Sequence, residues 1–178
     1  FICANSLIDL DQNSETPLGG KDHNALAEEL RTIRDAYFNT ESLNKKKSLR
    51  EKYNKLINEQ EGLFGESKRS KQLKTYRPFD NEWSAGFFNP EFMFGVEKFD
   101  VVIGNPPYGA SLKGKYREEV LKNFGRVPDF EIYYYFIEFA KKILRGHGTN
   151  SYIVPNTFLF NVFAFEYRKS ILNNWKIK

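Results

Sequence analysis

The sequence predicts an α/β fold, and two observations predict it. Short apolar runs at residues 1–5, 99–104 and 151–155 have strand character, and the long stretches between them carry apolar residues at helical spacing. That alternation points to an open sheet of three to four strands with helices packed on it. The 178 residues suffice for one domain with a sizeable core. A content of 40% hydrophobic residues, with 17 Phe and 10 Tyr, argues for a packed globule over a disordered chain.

Several function classes are excluded early. The single cysteine, Cys3, allows no internal disulfide and suits a reducing compartment, so a cytoplasmic location is expected. No apolar run approaches the roughly 20 residues of a membrane helix, and the longest, residues 158–165, is broken by Asn161. No cysteine or histidine cluster suggests a metal. Phe1 is not a start methionine and the opening residues read as mid-strand without a signal peptide, so the chain is expected to be a piece of a longer protein.

In chain order, Phe1-Ile2-Cys3-Ala4 begins as a strand and turns polar at Asn5. Pro17-Leu18-Gly19-Gly20 marks a loop. Leu26, Leu30, Ile33 and Tyr37, then Leu49, Tyr53, Leu56 and Ile57, fall on two helical faces and predict a hairpin over about residues 22–38 and 43–61. Residues 62–78, with Lys68, Arg69, Lys71, Lys74 and Arg77, show no clear period and read as a linker. The aromatic stretch Phe79, Trp83, Phe87, Phe88, Phe92 and Phe94 reads as packing beneath the following strand, with Asn89-Pro90 as a turn within it.

The net charge is +4, and its excess is local. Between Lys21 and Thr75 stand 13 Lys/Arg against nine Asp/Glu, leaving 14 of each sign elsewhere. Such an excess is either a solvated helix face or the footprint of phosphate binding.

The chain is organised around Phe99-Asp100-Val101-Val102-Ile103-Gly104-Asn105-Pro106-Pro107-Tyr108-Gly109. A β-branched run without polar alternation predicts a strand buried on both faces, and Asn-Pro-Pro-Tyr stops it abruptly. Ligands of open α/β sheets bind at the carboxyl ends of strands, which places Asn105 to Tyr108 where a substrate would arrive. The prolines fix φ and donate no N–H, so the loop is stiff and rich in acceptors. The Asn105 side-chain oxygen and the Pro106 carbonyl could accept both N–H bonds of an exocyclic amino group and localise its lone pair on nitrogen. Tyr108 offers a face on which a planar base can stack.

These residues resemble motif IV of the S-adenosylmethionine-dependent amino-group methyltransferases, and more narrowly the adenine-N6 DNA methyltransferases of restriction-modification systems, including large enzymes that fuse methylation with cleavage. The resemblance implies a partial Rossmann-like methyltransferase sheet with an inserted helical hairpin: residues 1–9 and 79–178 form part of the catalytic domain, and residues 10–78 are the insert. It implies that a target adenine is flipped out of double-stranded DNA, held by Asn105 and Pro106 beside Pro107, and stacked on Tyr108. Asn5, at a strand end similar to motif III, and Asp100 are the implied cofactor contacts. Lys113, Lys115 and Arg117, in a segment expected to be flexible and to order on DNA, are candidate phosphate contacts.

Downstream, Pro128-Asp129 is expected to start a helix stopped by Gly146-His147-Gly148, and Ile132 to Glu138 resembles the motif V helix. Its three consecutive tyrosines are not expected all to face inward. His147 reads as a capping or exposed residue. Ser151-Tyr152-Ile153-Val154-Pro155-Asn156-Thr157 is similar to motif VI, with a helix over about residues 163–174 and another strand starting at residues 176–178. The glycine-rich cofactor loop and target-recognition part of the family have no match in these residues. Two other readings stay open: an amino-group methyltransferase acting on RNA or protein glutamine, and a non-catalytic, decayed methyltransferase module.

Overall fold

The computed structural model describes residues 2–12, 23–64, 67–80, 82–128 and 131–177, which form two compact units, Phe1–Val96 and Glu97–Lys178. The loop expected at residues 17–20, Asp129 and Lys178 lie outside the described residues.

In the first unit, β1 (Cys3–Ala4) pairs in parallel with β2 (Ser84–Ala85). The pairing continues through Phe88, whose N–H donates to the Ile8 carbonyl at 2.8 Å. The helical hairpin is present as α1 (His23–Phe38) and α2 (Leu43–Phe64). Its predicted faces are the buried ones: Leu26, Leu30 and Ile33 on α1, Tyr53 and Ile57 on α2. The aromatic stretch packs on this hairpin, with the Phe79 ring 4.2 Å from that of Tyr37 and 5.1 Å from that of Tyr53.

Two expectations fail here. The supposed linker contains a helix, α3 (Lys68–Lys74), capped by Ser67, whose hydroxyl accepts the Ser70 N–H at 3.1 Å. Its lysines conceal a short buried face of Ser70, Gln72 and Leu73. Gln72 holds the backbone of residues 9–11 with both amide atoms, donating to the Asp9 carbonyl and accepting from the Asp11 N–H, each at 2.8 Å. Asn89-Pro90, read as a turn, opens a helix, α4 (Pro90–Phe94). Asn89 accepts the Phe92 N–H at 2.7 Å and Pro90 takes the first helical position, where its missing N–H costs nothing. The helix ends at Gly95 in the left-handed region, φ 72°.

Arg34, buried on α1, ties the hairpin to α4. Its guanidinium donates to the carbonyls of Phe92 at 3.0 Å and Met93 at 2.5 Å, satisfying the end of α4 with a cation where the helix dipole favours one. Burial alone would lower its pKa, but Tyr76 and Asp35 outweigh that, and the group stays charged.

In the second unit, β3 (Phe99–Gly104) pairs in parallel with β4 (Leu144–Tyr152), joined by α5 (Gly114–Phe124) and α6 (Ile132–Ile143). The chain then forms α7 (Thr157–Phe160), a short turn at Val162–Ala164 and α8 (Phe165–Asn174). Arg168 braces this last stretch by donating to the carbonyls of Phe158 at 3.0 Å and Asn161 at 2.7 Å.

Several corrections belong to this unit. β3 is not buried on both faces: Val101 and Ile103 share a face and are 55% and 77% exposed, so no layer of described residues covers that face. Gly146-His147-Gly148 does not cap α6 but lies inside β4, which starts before the expected residue 151. The register runs from Phe99 opposite Leu144 to Val101 opposite Thr149, so β4 accommodates extra residues in a bulge. His147 is exposed there. Residues 113–117, expected to be flexible, run into α5, anchored by buried Leu112 and Val120. Lys176 and Ile177 form no strand.

Tyr133, Tyr134 and Tyr135 are all buried, against expectation. Three successive residues span more than half of a helix circumference, so α6 must be covered nearly all round. Phe158 covers Tyr133 and Tyr134, and Tyr167 meets Tyr134 edge-on at 5.2 Å. Tyr167 in turn donates to Glu138 at 2.5 Å, and Lys141 pairs with the same carboxylate at 2.6 Å.

Arg34→Ala should lower stability by about 2–4 kcal/mol, since it leaves two carbonyls at a helix end without their donor, and Arg34→Lys should fall between. Urea denaturation checks this, and an unchanged midpoint for Arg34→Ala would contradict it. Burial, the main cause in each case, raises the pKa of Tyr53, Tyr133 and Tyr167. Their contribution to stability is therefore complete below about pH 10, where unfolded phenols titrate, and is lost as pH climbs through the higher folded values. The urea midpoint should fall steeply above about pH 10.

Candidate active site

The site is built at the carboxyl end of the β3 and β4 pair. Gly104 lies opposite Tyr152, and the next residue of the second strand, Ile153, donates its N–H to the Gly104 carbonyl at 3.1 Å. The segments that follow, Asn105-Pro106-Pro107-Tyr108 and Val154-Pro155-Asn156, therefore leave the sheet side by side. A side chain at Gly104 would need the Tyr152 ring to give way by a few tenths of an ångström. A Cβ there would meet the Tyr152 ring at 3.1 Å, so the ring lies directly over the residue before Asn105. Burial pushes the Tyr152 phenol up to about 12, which keeps it a neutral hydroxyl.

Within the corner, Pro106 is buried and acts as the peg, while Asn105, Pro107 and Tyr108 are exposed. Tyr108 shows 56% of its surface, so its ring is presented outward. Gly109, in the left-handed region at φ 68°, reverses the chain, and its N–H donates to the Glu131 carboxylate at 3.2 Å. Ser111 bridges antiparallel to Glu131, closing the loop against the start of α6. The corner is thus held at Gly104, Pro106, Gly109 and Ser111, and two polar or aromatic side chains stand free of the core between these points.

Sequence reasoning missed Tyr152 and Glu131 as supports. Tyr152 was legible as part of the second strand-ending motif, but only strand register puts it over Gly104. Glu131 is 22 residues from its partner and carries no local signal.

The other predicted residues fall elsewhere. Asp100 is at the amino end of β3, five residues or roughly 16 Å of extended chain from Asn105. Its carboxylate pairs with Arg145 at 2.6 Å. Asn5 ends β1 in the first unit; its N–H donates to the Ala85 carbonyl at 2.8 Å and its side-chain oxygen accepts the Leu7 N–H at 3.3 Å. Lys113 stands at the N-cap position of α5 without a side-chain capping bond, and Lys115 and Arg117 are exposed in its first turn. Cations at a helix start add to the positive end of its dipole, which raises the affinity of that end for anions. Among the described residues no group of three His, Cys, Asp or Glu could hold a metal, and no helix is long and apolar enough to cross a membrane.

The pairing that aligns the corner depends on a close approach. A Cβ at Gly148 would meet the Leu144 side chain at 2.7 Å and the backbone oxygens of Arg145 and Asp100 at 3.1 Å. Gly148→Ala should therefore cost about 1–3 kcal/mol, whereas Gly146→Ala, with nothing within 4 Å, should stay within about 0.5 kcal/mol. Equal urea midpoints for the two variants would contradict this geometry.

Comparison with known proteins bears on residues 7–178, which match the Eco57I restriction-modification methylase family model. The chain is 31% identical over 110 residues to a Methanocaldococcus jannaschii protein named as a type II restriction enzyme and methyltransferase, covering 62% of this chain and 9% of the relative. It is 32% identical over 87 residues to the type II methyltransferase M.BstVI of Geobacillus stearothermophilus, covering 46% of this chain and 15% of that protein. The chain thus spans a small part of the length of either relative. No solved structure matches it.

Proposed function

The chain belongs to the Eco57I restriction-modification methylase family, and from that premise we propose that it carries the amino-group acceptor half of a DNA adenine-N6 methyltransferase site, within a partial Rossmann-like sheet. The observation that carries the reading is the braced corner after β3, which leaves Asn105 and Tyr108 exposed at the carboxyl end of a parallel strand pair. Residues 1–9 and 79–178 are assigned to the catalytic domain and residues 10–78 to an insert.

The roles follow from the chemistry of an aromatic amine. Its lone pair is delocalised into the ring, and acceptors on its N–H bonds draw it back onto nitrogen. The Asn105 side-chain oxygen and the Pro106 carbonyl supply those acceptors. Tyr108 stacks an adenine flipped from double-stranded DNA, and Pro107 keeps the corner stiff between them. S-adenosylmethionine, when bound, supplies an electrophilic methyl group. As the C–N bond forms and the methyl–sulfur bond breaks, a neutral thioether would be left, and the amino nitrogen would lose one proton past the Asn105 or Pro106 oxygen to water, since neither amide oxygen is basic enough to keep it. Asn5 is the proposed contact to the cofactor adenine. Asp100, at the far end of β3 and paired with Arg145, is assigned no step. Lys113, Lys115 and Arg117 contact phosphates near the target base.

In the intact protein, Asn105→Ala should lower labelled-methyl transfer to DNA by at least about 100-fold, as loss of a pre-oriented polar group does elsewhere. Melting temperature should not change, because Asn105 is exposed. Near-normal transfer would refute the assignment. Product analysis should find the label on the adenine amino group. Label appearing on ribosomal RNA or protein glutamine in parallel assays would move the substrate class instead.

A further inference from the structure

The cationic excess of residues 21–75 has no part in the chemistry above, and the first unit gives it a place. A cleft of about 410 Å³ opens between α2, the end of α3 and residues 76–80. On one wall stand Arg50, Asn54 and Asn58, spaced four residues apart and so on one face of α2. The other wall carries Lys74 and Arg77, and the floor includes Tyr53, Ile57 and Tyr76. The volume falls in the range that holds small ligands.

Its electrostatics are one-sided. Among the described residues, three cations line the cleft against one carboxylate, Asp80. Neighbouring lysines of α2 are neutralised outside it, Lys52 by Glu29 at 3.3 Å and Lys55 by Glu59 at 3.7 Å. Arg50 has no carboxylate partner among the described residues. Arg77 is held in place because its guanidinium lies over the Trp83 ring at 3.8 Å. Stacking uses the face of the guanidinium and leaves its in-plane N–H fork to meet an anion. The floor does not oppose an anion, since burial keeps the Tyr53 phenol protonated. The Asn54 and Asn58 amides add neutral donors.

We propose that this cleft is a phosphate site in which Arg50, Arg77 and Lys74 take a nucleotide phosphate, either a phosphodiester of a DNA strand or the phosphate of a free nucleotide. For DNA it rests on the reading above as to the macromolecule. It does not depend on Asn105, because phosphate contacts position a protein and carry no base information.

The test uses the intact protein and an adenine-free G·C duplex, with anisotropy followed between about 50 and 200 mM salt. Arg50→Gln/Arg77→Gln should weaken binding by about tenfold at low salt and flatten the dependence of log K on log salt by roughly 1 to 2, at about 0.9 per phosphate contact. Arg50→Gln alone, an exposed change on α2, should give about half that flattening and guards against a folding defect in the double variant. Lys52→Gln/Lys55→Gln removes the same charge outside the cleft and should leave the slope as in the parent. Titration with dCMP separates the two sources: variants that lose dCMP while keeping the parent slope on DNA identify a free nucleotide. Cleft variants that match the lysine control with both probes overturn the proposal. Since the duplex holds no adenine, failure of the methylation reading would leave this result standing, and normal methylation with both the slope and dCMP binding unchanged would sink the phosphate site alone.

Discussion

Parallel pairing of β3 with β4 is the constraint on which the second unit depends. Two strands that run the same way end at the same edge, so the loops that leave them are neighbours without any contact having to be evolved between the loops themselves. That pairing is tight at two glycines for two reasons. At Gly104 the Tyr152 ring crowds the place of a Cβ, and at Gly148 the Leu144 side chain and the backbone oxygens of Arg145 and Asp100 do. The first seals the sheet directly under Asn105. The second lets β4 bulge between residues 144 and 149 and still return to register by Thr149. A strand that slipped there by one residue would carry Tyr152 off Gly104 and turn every later side chain to the opposite face.

Much of the site was legible because its signals are local. Proline fixes its own φ and restrains the residue before it, so Asn105-Pro106-Pro107-Tyr108 declares a strand end without help from the rest of the chain. The hairpin was legible for the same reason, its buried face repeating every three to four residues over many turns. What failed was short, or was decided by distant partners. α3 and α4 have too few residues for periodicity to show, and the local evidence was confined to their ends: the caps Ser67 and Asn89, with Pro90 and Gly95 for α4. Tyr133 and Tyr134 of α6 are covered by rings more than 20 positions away. Val101 and Ile103 reversed the expectation in the other direction, since an apolar strand specifies what it can be packed against and not whether a neighbour is there.

Arg34 shows why a charged residue can be central and still invisible in a sequence. On a helical wheel it borders the apolar face of α1, where an arginine would ordinarily extend its head to water. Here the head turns to the end of α4, and the two carbonyls it satisfies would otherwise be left at a helix terminus packed against the hairpin. Arg31 stands beside Gly95 at the same helix end, within 3.0 Å of where a Cβ would be. Two cations of one helix thus face the negative pole of another. The glycine that ends α4 is required by its positive φ, whereas the Arg31 guanidinium, at the end of a flexible side chain, can move away from a Cβ.

The chemistry proposed for the corner asks little of acid–base groups, and the placement of charge in the second unit agrees with that demand. The phenols raised by burial, Tyr133, Tyr135, Tyr152 and Tyr167, are kept as neutral hydroxyls, and the carboxylate that reaches the corner loop, Glu131, has a structural partner in the Gly109 N–H. An amine that gives up its proton only as the new bond forms is served by fixed acceptors rather than by a strong base. A carboxylate free to approach the cofactor would bind the sulfonium charge, stabilising the reactant more than the transition state, in which that charge is already dispersing. A neutral amide oxygen and a peptide oxygen held by a stiff backbone avoid that cost, because they respond to the charge that develops on nitrogen and leave the charge on sulfur alone.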